Sequence, residues 1–278
     1  MCPYPVDGEA NRFGAKRWTV QQTTGGNEFP AVKSAARTLE ILERLAAAPE
    51  RPTLGQLARD LGIPKSSLRA ILQTLEGRGW VETDATGSRF GLGVRALLVG
   101  AAYVDADDVV AVAAGTLDRL AATFGETVHL ARLDGTEIVY LAKRESRHSL
   151  RLFSAIGRRL PAFSTALGKA VLAERTSEEV RASLPDPLPR LTPNTIGDPD
   201  RLDRELALTR ARGYAVDNEE NTEGIRCLAV ALPRADPPVD AISLSVPVVR
   251  LTEERERQMA AELLRAREAL LARPAARH

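Results

Sequence analysis

Between Leu61 and Arg78 the chain reads LGIPKSSLRAILQTLEGR. Lys65, Ser66, Ser67 and Arg69 fall within five positions of Pro64, and Gln73 follows one turn later. Leu68, Ile71, Leu72 and Leu75 recur at helical spacing, so they face inward and leave the polar set outside. Two cations, two hydroxyls and an amide on one helical face suit a nucleic acid. Arg can reach guanine O6 and N7, Gln can pair with adenine, and Lys and Ser can bond phosphates or base edges. Charged outer faces are common on helices of every function, so this face alone does not decide.

Other residues invite other chemistry. Cys227, in Gly224-Ile225-Arg226-Cys227-Leu228, is a candidate nucleophile. A catalytic thiolate needs a His partner or a helix N-terminus. The three histidines, His129, His148 and His278, have no motif spacing to it. A small residue lining a core or pocket is the better reading. Two cysteines exclude a disulfide framework and a four-cysteine zinc site, and no metal or cofactor is expected. Gly168-Lys169 lacks the rest of a phosphate-binding G-x-x-x-x-G-K-[ST] loop, because Phe163 and Ala170 occupy the flanking positions. Asp217, Glu219, Glu220 and Glu223 precede a strand. Glu219 and Glu220 read as a solvated acidic stretch, while Asp217 stays open. His129 lies in an alternating pattern and reads as a strand residue with a satisfied hydrogen bond.

The elements around Arg69 sharpen its meaning. A helix is expected from Lys33 to Ala47, stopped by Pro49. Thr53 and Gln56 form a capping-box pattern ahead of Leu54, Leu57, Ala58 and Leu61, and Gly62 ends that helix. Pro64 opens the next, which carries Arg69. Trp80–Thr83 and Ser88–Leu92 then read as a hairpin around Asp84-Ala85-Thr86-Gly87. Three short helices and a hairpin describe a winged helix-turn-helix, with the third helix shaped for a major groove. In the wing, Ser88 and Arg89 are candidates for phosphate or minor-groove contact, or for plain surface polarity.

A short helix follows from Val94 to Val104, then another from Val109 to Phe124. Asp134-Gly135 joins strands Thr127–Leu133 and Glu137–Ala142. Leu150–Phe153 reads as a third strand. Helices are expected over Thr165–Ala173, Arg201–Arg212 and Glu253–Ala272, and strands over Tyr214–Val216, Cys227–Leu232 and Ala241–Val246. This is an α+β pattern with an antiparallel sheet. The 278 residues suit two domains. With 44% hydrophobic and 27% charged residues, wholesale disorder is excluded. The formal net charge is only +1, so a nucleic-acid reading must rest on local features; residues 30–92 hold nine Lys/Arg against seven Asp/Glu. No apolar run approaches the ~20 residues needed to span a bilayer. Residues 1–29 read as a tail, and the protein as soluble and cytoplasmic.

Several stretches together resemble the IclR family of bacterial transcriptional regulators, over roughly residues 30–273. They are Lys33–Leu45, Leu61–Ser67, Gly125–Leu130, Pro161 with Thr165–Ala170, Arg212–Asp217 with Glu219, Glu220, Gly224 and Cys227, and Ala241–Ser245. The resemblance implies a winged helix-turn-helix (30–92), a linker helix (93–108) and a GAF-like antiparallel-sheet effector domain (109–273), with tails at 1–29 and 274–278. It implies a homodimer or dimer of dimers that reads a double-stranded DNA operator and answers to a small organic acid. By this likeness the effector pocket is lined by Thr165, Ala166, Leu167, Asp217, Ile225, Cys227, Ser243 and Ser245, and Leu152 and Phe153 join Leu167 and Ile225 as candidates for its apolar wall. One departure stands out. The family often has Arg where this chain has Ala70, and a ring or polar residue in place of Arg69, so operator sequence does not carry over. Two rival readings remain: a GAF-scaffold enzyme using Cys227, and a winged-helix protein-contact module.

Overall fold

A computed structural model describes residues 32–152 and 154–272. The expected tails at 1–29 and 274–278, with Cys2 and His278, lie outside the described residues, as does Phe153. The chain divides into two compact units, one ending at Tyr103 and one beginning at Val104.

The first unit holds helices α1 (Lys33–Ala46), α2 (Leu54–Leu61) and α3 (Lys65–Gly77), strands β1 (Val81–Thr83) and β2 (Phe90–Leu92), and helix α4 (Val94–Asp105). The signals at the start of α2 act as a reciprocal pair. The Thr53 N–H donates to Gln56 Oε1 at 2.8 Å, and the Gln56 N–H donates to Thr53 Oγ1 at 3.3 Å. Gly62 ends the helix at φ 63°, a left-handed conformation that glycine adopts without a Cβ penalty. Ile41, Leu45, Leu57, Leu68, Leu72, Leu75 and Val81 meet in one core. That core fixes the inner face of α3. The wing strands are shorter than the hydrophobic pattern suggests. Asp84 Oδ1 accepts from the Ser88 and Arg89 N–H groups at 3.0 and 3.2 Å, which draws those residues into the loop. No residue of α4 is buried within this unit.

The second unit holds α5 (Asp108–Phe124), β3 (Thr127–Asp134), β4 (Glu137–Arg144), β5 (Arg159–Pro161), α6 (Ala166–Leu172), α7 (Ser177–Ser183), α8 (Pro199–Arg212), β6 (Ala215–Asn218), β7 (Ile225–Leu232), β8 (Asp240–Pro247) and α9 (Glu253–Leu271). Its six strands pair antiparallel in the order β5-β4-β3-β8-β7-β6. Alternation sends two kinds of side chain to the two faces. Val128, Leu130, Leu228, Leu244 and Val246 pack against Leu117 and Leu120 of α5 and Met259 and Leu263 of α9. The other face is built of small residues, Ala131, Ala229, Ala231 and Ala241, together with Tyr140, and it receives α6 and α8. The close approach there is absolute at Gly168: a Cβ would sit 2.1 Å from the Ala162 carbonyl oxygen.

Residues 150–152 do not form the expected third strand. Arg250 Nη1 donates to the Leu150 carbonyl at 2.9 Å, so a side chain occupies a group that a ladder would need. β4 pairs instead with Arg159–Pro161. Arg159 fixes that register by donating to Glu137 Oε2 at 2.8 Å and Asp134 Oδ2 at 2.6 Å. Near the start of this unit Asp107 caps α5 through Oδ1. Its Oδ2 accepts from Arg132 at 2.6 Å, and Arg132 donates in turn to Asp240 at 2.7 Å. No helix among the described residues is long and apolar enough to cross a membrane.

Candidate functional site

Two places collect the residues that the sequence singles out. The first is the outer face of α3. Lys65, Ser66, Arg69 and Gln73 are exposed and Ser67 is half-buried, while Leu68, Leu72 and Leu75 hold the opposite face in the core. Among the described residues, Lys65 and Arg69 make no ion pair, although other arginines of this unit are engaged: Arg44 with Asp60 and Arg51 with Glu82. In the wing Ser88 and Arg89 are exposed. Arg89 is tethered, donating through Nη1 to the Arg51 carbonyl at 3.0 Å, and Ser88 Oγ lies 2.6 Å from Thr86 Oγ1. The wing's cation is therefore less available than that of α3.

The second place is a pocket over the small-residue face of the sheet, with about 330 Å³ of empty space including its mouth. The turn before α6 and its first residues bring Thr165, Ala166 and Leu167. β6 brings Asp217, β7 Ile225 and Cys227, β8 Ser243 and Ser245, and the crossing segment after β4 brings Leu152. All nine residues named for the effector pocket thus line one cavity. Register explains much of this. Asp217 pairs with Cys227 and Cys227 with Ser245 in adjacent strands, so three side chains form one row across the sheet. Sequence reasoning did not name four further lining residues: Tyr140, Leu160, Asn221 and Thr222. Tyr140 was within reach, because it alternates with Ile138 along β4 and so shares its face.

The polar end of the pocket has unusual electrostatics. Asp217 is only 3% exposed. Burial pushes its carboxyl up to about 7, against the opposing pull of backbone N–H bonds and of Lys169. Its Oδ1 accepts from the Glu220 N–H at 2.7 Å and the Asn221 N–H at 3.4 Å. Ser243 Oγ is buried without a partner among the described residues. Asn221 Nδ2 donates to Ser164 Oγ at 3.2 Å. Burial, then the charge of Asp217, pushes the Cys227 thiol up, and its Sγ donates to Ser245 Oγ at 3.3 Å. A thiol held protonated is the opposite of what nucleophilic catalysis requires.

The acidic stretch corrects one expectation. Glu220 is buried rather than solvated, and it pairs with the fully buried Lys169 of α6. Thr195 Oγ1 also donates to the Glu220 carbonyl at 2.6 Å. Glu219 is half-buried at φ 60°, and its Oε2 accepts from the Gly224 N–H at 2.8 Å. Glu223 is exposed. His129 is buried beside the pocket floor. Its Nε2 lies 2.7 Å from Ser154 Oγ and its ring stacks on Tyr140 with centroids 4.3 Å apart, while Nδ1 has no partner among the described residues. Burial, reinforced by Lys143, pulls its value down to about 3, so the ring is neutral. Among the described residues no His, Cys, Asp and Glu gather into a metal-binding cluster.

Comparison with known proteins covers both units of the chain. Residues 34–85 match the IclR helix-turn-helix domain, and residues 101–271 match the family described as bacterial transcriptional regulator IclR C-terminal. The HTH-type transcriptional regulator KdgR of Dickeya chrysanthemi is 35% identical, over 83% of this chain and 77% of its own. An IclR transcriptional regulator from Alicyclobacillus acidocaldarius superposes with a TM-score of 0.77 at 27% identity, covering 87% of this chain and 98% of its own. An IclR homologue from Microbacterium hydrocarbonoxydans, solved with 4-hydroxybenzoate, shares the fold at TM-score 0.70 and 24% identity, covering 86% of this chain and all of its own. These relatives are regulators rather than enzymes. The chain, with its helix-turn-helix and its antiparallel-sheet domain, belongs to the IclR family of bacterial transcriptional regulators.

Proposed function

We propose that this regulator reads operator DNA with α3 and responds to a small organic acid held in the pocket over the sheet. The observation that carries the reading is the convergence of nine residues, drawn from separate elements, on one cavity. Arg69 and Lys65 read bases and phosphates in the major groove, Ser66, Ser67 and Gln73 add polar contacts, and Ser88 and Arg89 add wing contacts. Leu152, Leu167 and Ile225 form the apolar wall for the ligand, and Ser243, Ser245, Thr165 and Asp217 supply its polar contacts. Residues 30–92 act as the DNA-reading domain, 93–108 as linker and 109–273 as effector domain, in the cytoplasm. The regulated genes belong to a catabolic or metabolic operon.

Two copies, singly or as a dimer of dimers, read a two-fold operator. The exposure of α4 supports a partner copy: Leu97 is 69% and Leu98 59% exposed. Ligand shifts the regulator only as far as it binds one arrangement better than the other.

The test is selection of binding sequences from a random duplex pool, with and without small carboxylic acids. A palindromic consensus, relaxed at one base position by Arg69→Ala, supports the reading. Enrichment of no sequence under any condition overturns the operator half of it. Failure of small acids to raise the melting temperature or alter DNA affinity overturns the effector half.

A further inference from the structure

The pocket has the wrong charge for the ligand assigned to it. No Lys, Arg or His is among its lining residues, and its one ionisable acid is Asp217. The nearby ammonium, Lys169, is paired with Glu220. With Asp217 ionised, this buried group already holds two negative charges against one positive. An incoming carboxylate makes it three against one in a site shielded from water, where an unpaired anion is costly.

We propose that a small carboxylic acid enters this pocket together with one proton, which sits between its carboxylate and that of Asp217. The proposal rests on the organic-acid reading above and adds its proton balance. Asp217 Oδ1 is held by the Glu220 and Asn221 N–H groups, so Oδ2 is the oxygen that carries the proton toward the ligand. Ser243 Oγ, buried without a partner among the described residues and lining the same cavity, donates to the ligand's second carboxylate oxygen.

The groups facing Asp217 leave no other site for the proton. From α6 comes Lys169, whose positive charge opposes protonation without reversing it. From its own turn comes Glu220, tied to Lys169. β7 presents the Cys227 thiol and β4 the Tyr140 hydroxyl, both held protonated by burial. β8 and the turn before α6 present hydroxyls, those of Ser243, Ser245, Ser164 and Thr165, and no further carboxyl or basic group. A carboxyl resting at about 7 is already close to taking the proton at neutral pH.

The experiment is titration calorimetry of the full chain with acetate, lactate, benzoate and 4-hydroxybenzoate, and with neutral benzamide. It is run at pH 6, 7 and 8 in buffers of different ionisation heat. Carboxylates are expected to take up close to one proton at pH 8 and almost none at pH 6, where Asp217 is already protonated. Their affinity should fall about tenfold per pH unit above 7. Asp217→Asn places an amide N–H where the protonated carboxyl stood. It should bind carboxylates at pH 8 about as tightly as wild type does at pH 6, with no proton uptake. Carboxylate binding without uptake at pH 8 overturns the proposal while leaving the organic-acid reading intact. So does an Asp217→Asn protein that melts normally yet loses carboxylates at every pH, because Asp217 then serves as an ion. Binding of benzamide alone, or of no probe, overturns the organic-acid reading and the proton with it.

Discussion

The outer face of α3 and the pocket over the sheet place their polar residues in opposite surroundings. On α3, Lys65, Arg69 and Gln73 stand in solvent above a core made by other residues, Leu68, Leu72 and Leu75. One face of the helix holds the fold, and the opposite face carries the residues proposed for recognition. In the pocket, Asp217, Ser243 and Thr165 are themselves buried, and Thr165 also caps α6 by accepting from the Gly168 N–H at 3.0 Å. There the side chains proposed to meet the ligand are enclosed within the fold. Substitution on the surface should leave stability alone, whereas in the buried pocket its effect is set by each side chain's own contacts and charge.

That contrast can be broken experimentally, most forcefully at Gly168. A Cβ there meets backbone atoms of Ala162 at 2.1–2.5 Å, which no rotamer change relieves. Gly168→Ala should lower stability by about 3–5 kcal/mol in denaturant melts, or prevent folding. A wild-type melt would show that α6 can move and that the pocket wall is soft. Asp217→Asn comes next. The folded carboxyl lies at about 7, above its ordinary 3.8, so the folded state holds an extra proton between those values, and stability falls as pH rises through that window. The variant should therefore be more stable than wild type at pH 8, by on the order of 3 kcal/mol, and equal to it near pH 4. His129 acts with the opposite sign. Its value drops from 6.5 to about 3, so its stability is present above 6.5 and lost as pH falls toward 3. In wild type the two slopes oppose each other between about pH 4 and 6.5. In Asp217→Asn the rise due to His129 should be steeper than in wild type, opposed only in part by the buried Asp240 carboxyl, which burial also raises, and an unchanged profile would contradict it.

On α3 the expected effects leave stability alone. Arg69→Ala should weaken operator binding by about 1–3 kcal/mol and change the melt by less than about 0.5 kcal/mol. A comparable loss of stability would place Arg69 in the fold and erase the contrast. Ser243→Ala is the smallest. Its hydroxyl has no partner, so removal should leave stability within about 0.5 kcal/mol while weakening carboxylate binding. A clear loss of stability would reveal a bound water as its resting partner.

The two regions were also unequally legible in the sequence. The first unit follows from short-range rules. Leucine periodicity, the Thr53–Gln56 pair and Gly62 place α2 and α3 to within a residue or two. The pocket obeys no such rule. Lys169 meets Glu220 across 51 residues, and Ser245 meets Cys227 across 18. Family likeness gathered eight of the nine pocket residues, and Leu152 came from the need for an apolar wall. β5 was missed because three residues carry no period, and its place depends on Arg159 reaching back to Asp134 and Glu137. α7 was missed although its signal was present: Thr176 and Glu179 form a capping box.

The outermost strands of the sheet have a consequence for how copies can meet. β5 is three residues long and ends in Pro161, and β6 is four residues long and is followed by Glu219 with its left-handed backbone. Neither rim offers a long row of free amides and carbonyls on which another chain could add a strand. Short, interrupted edge strands of this kind disfavour edge-to-edge strand addition. The proposed association of two copies would then go through side-chain surfaces rather than through a continuous backbone ladder.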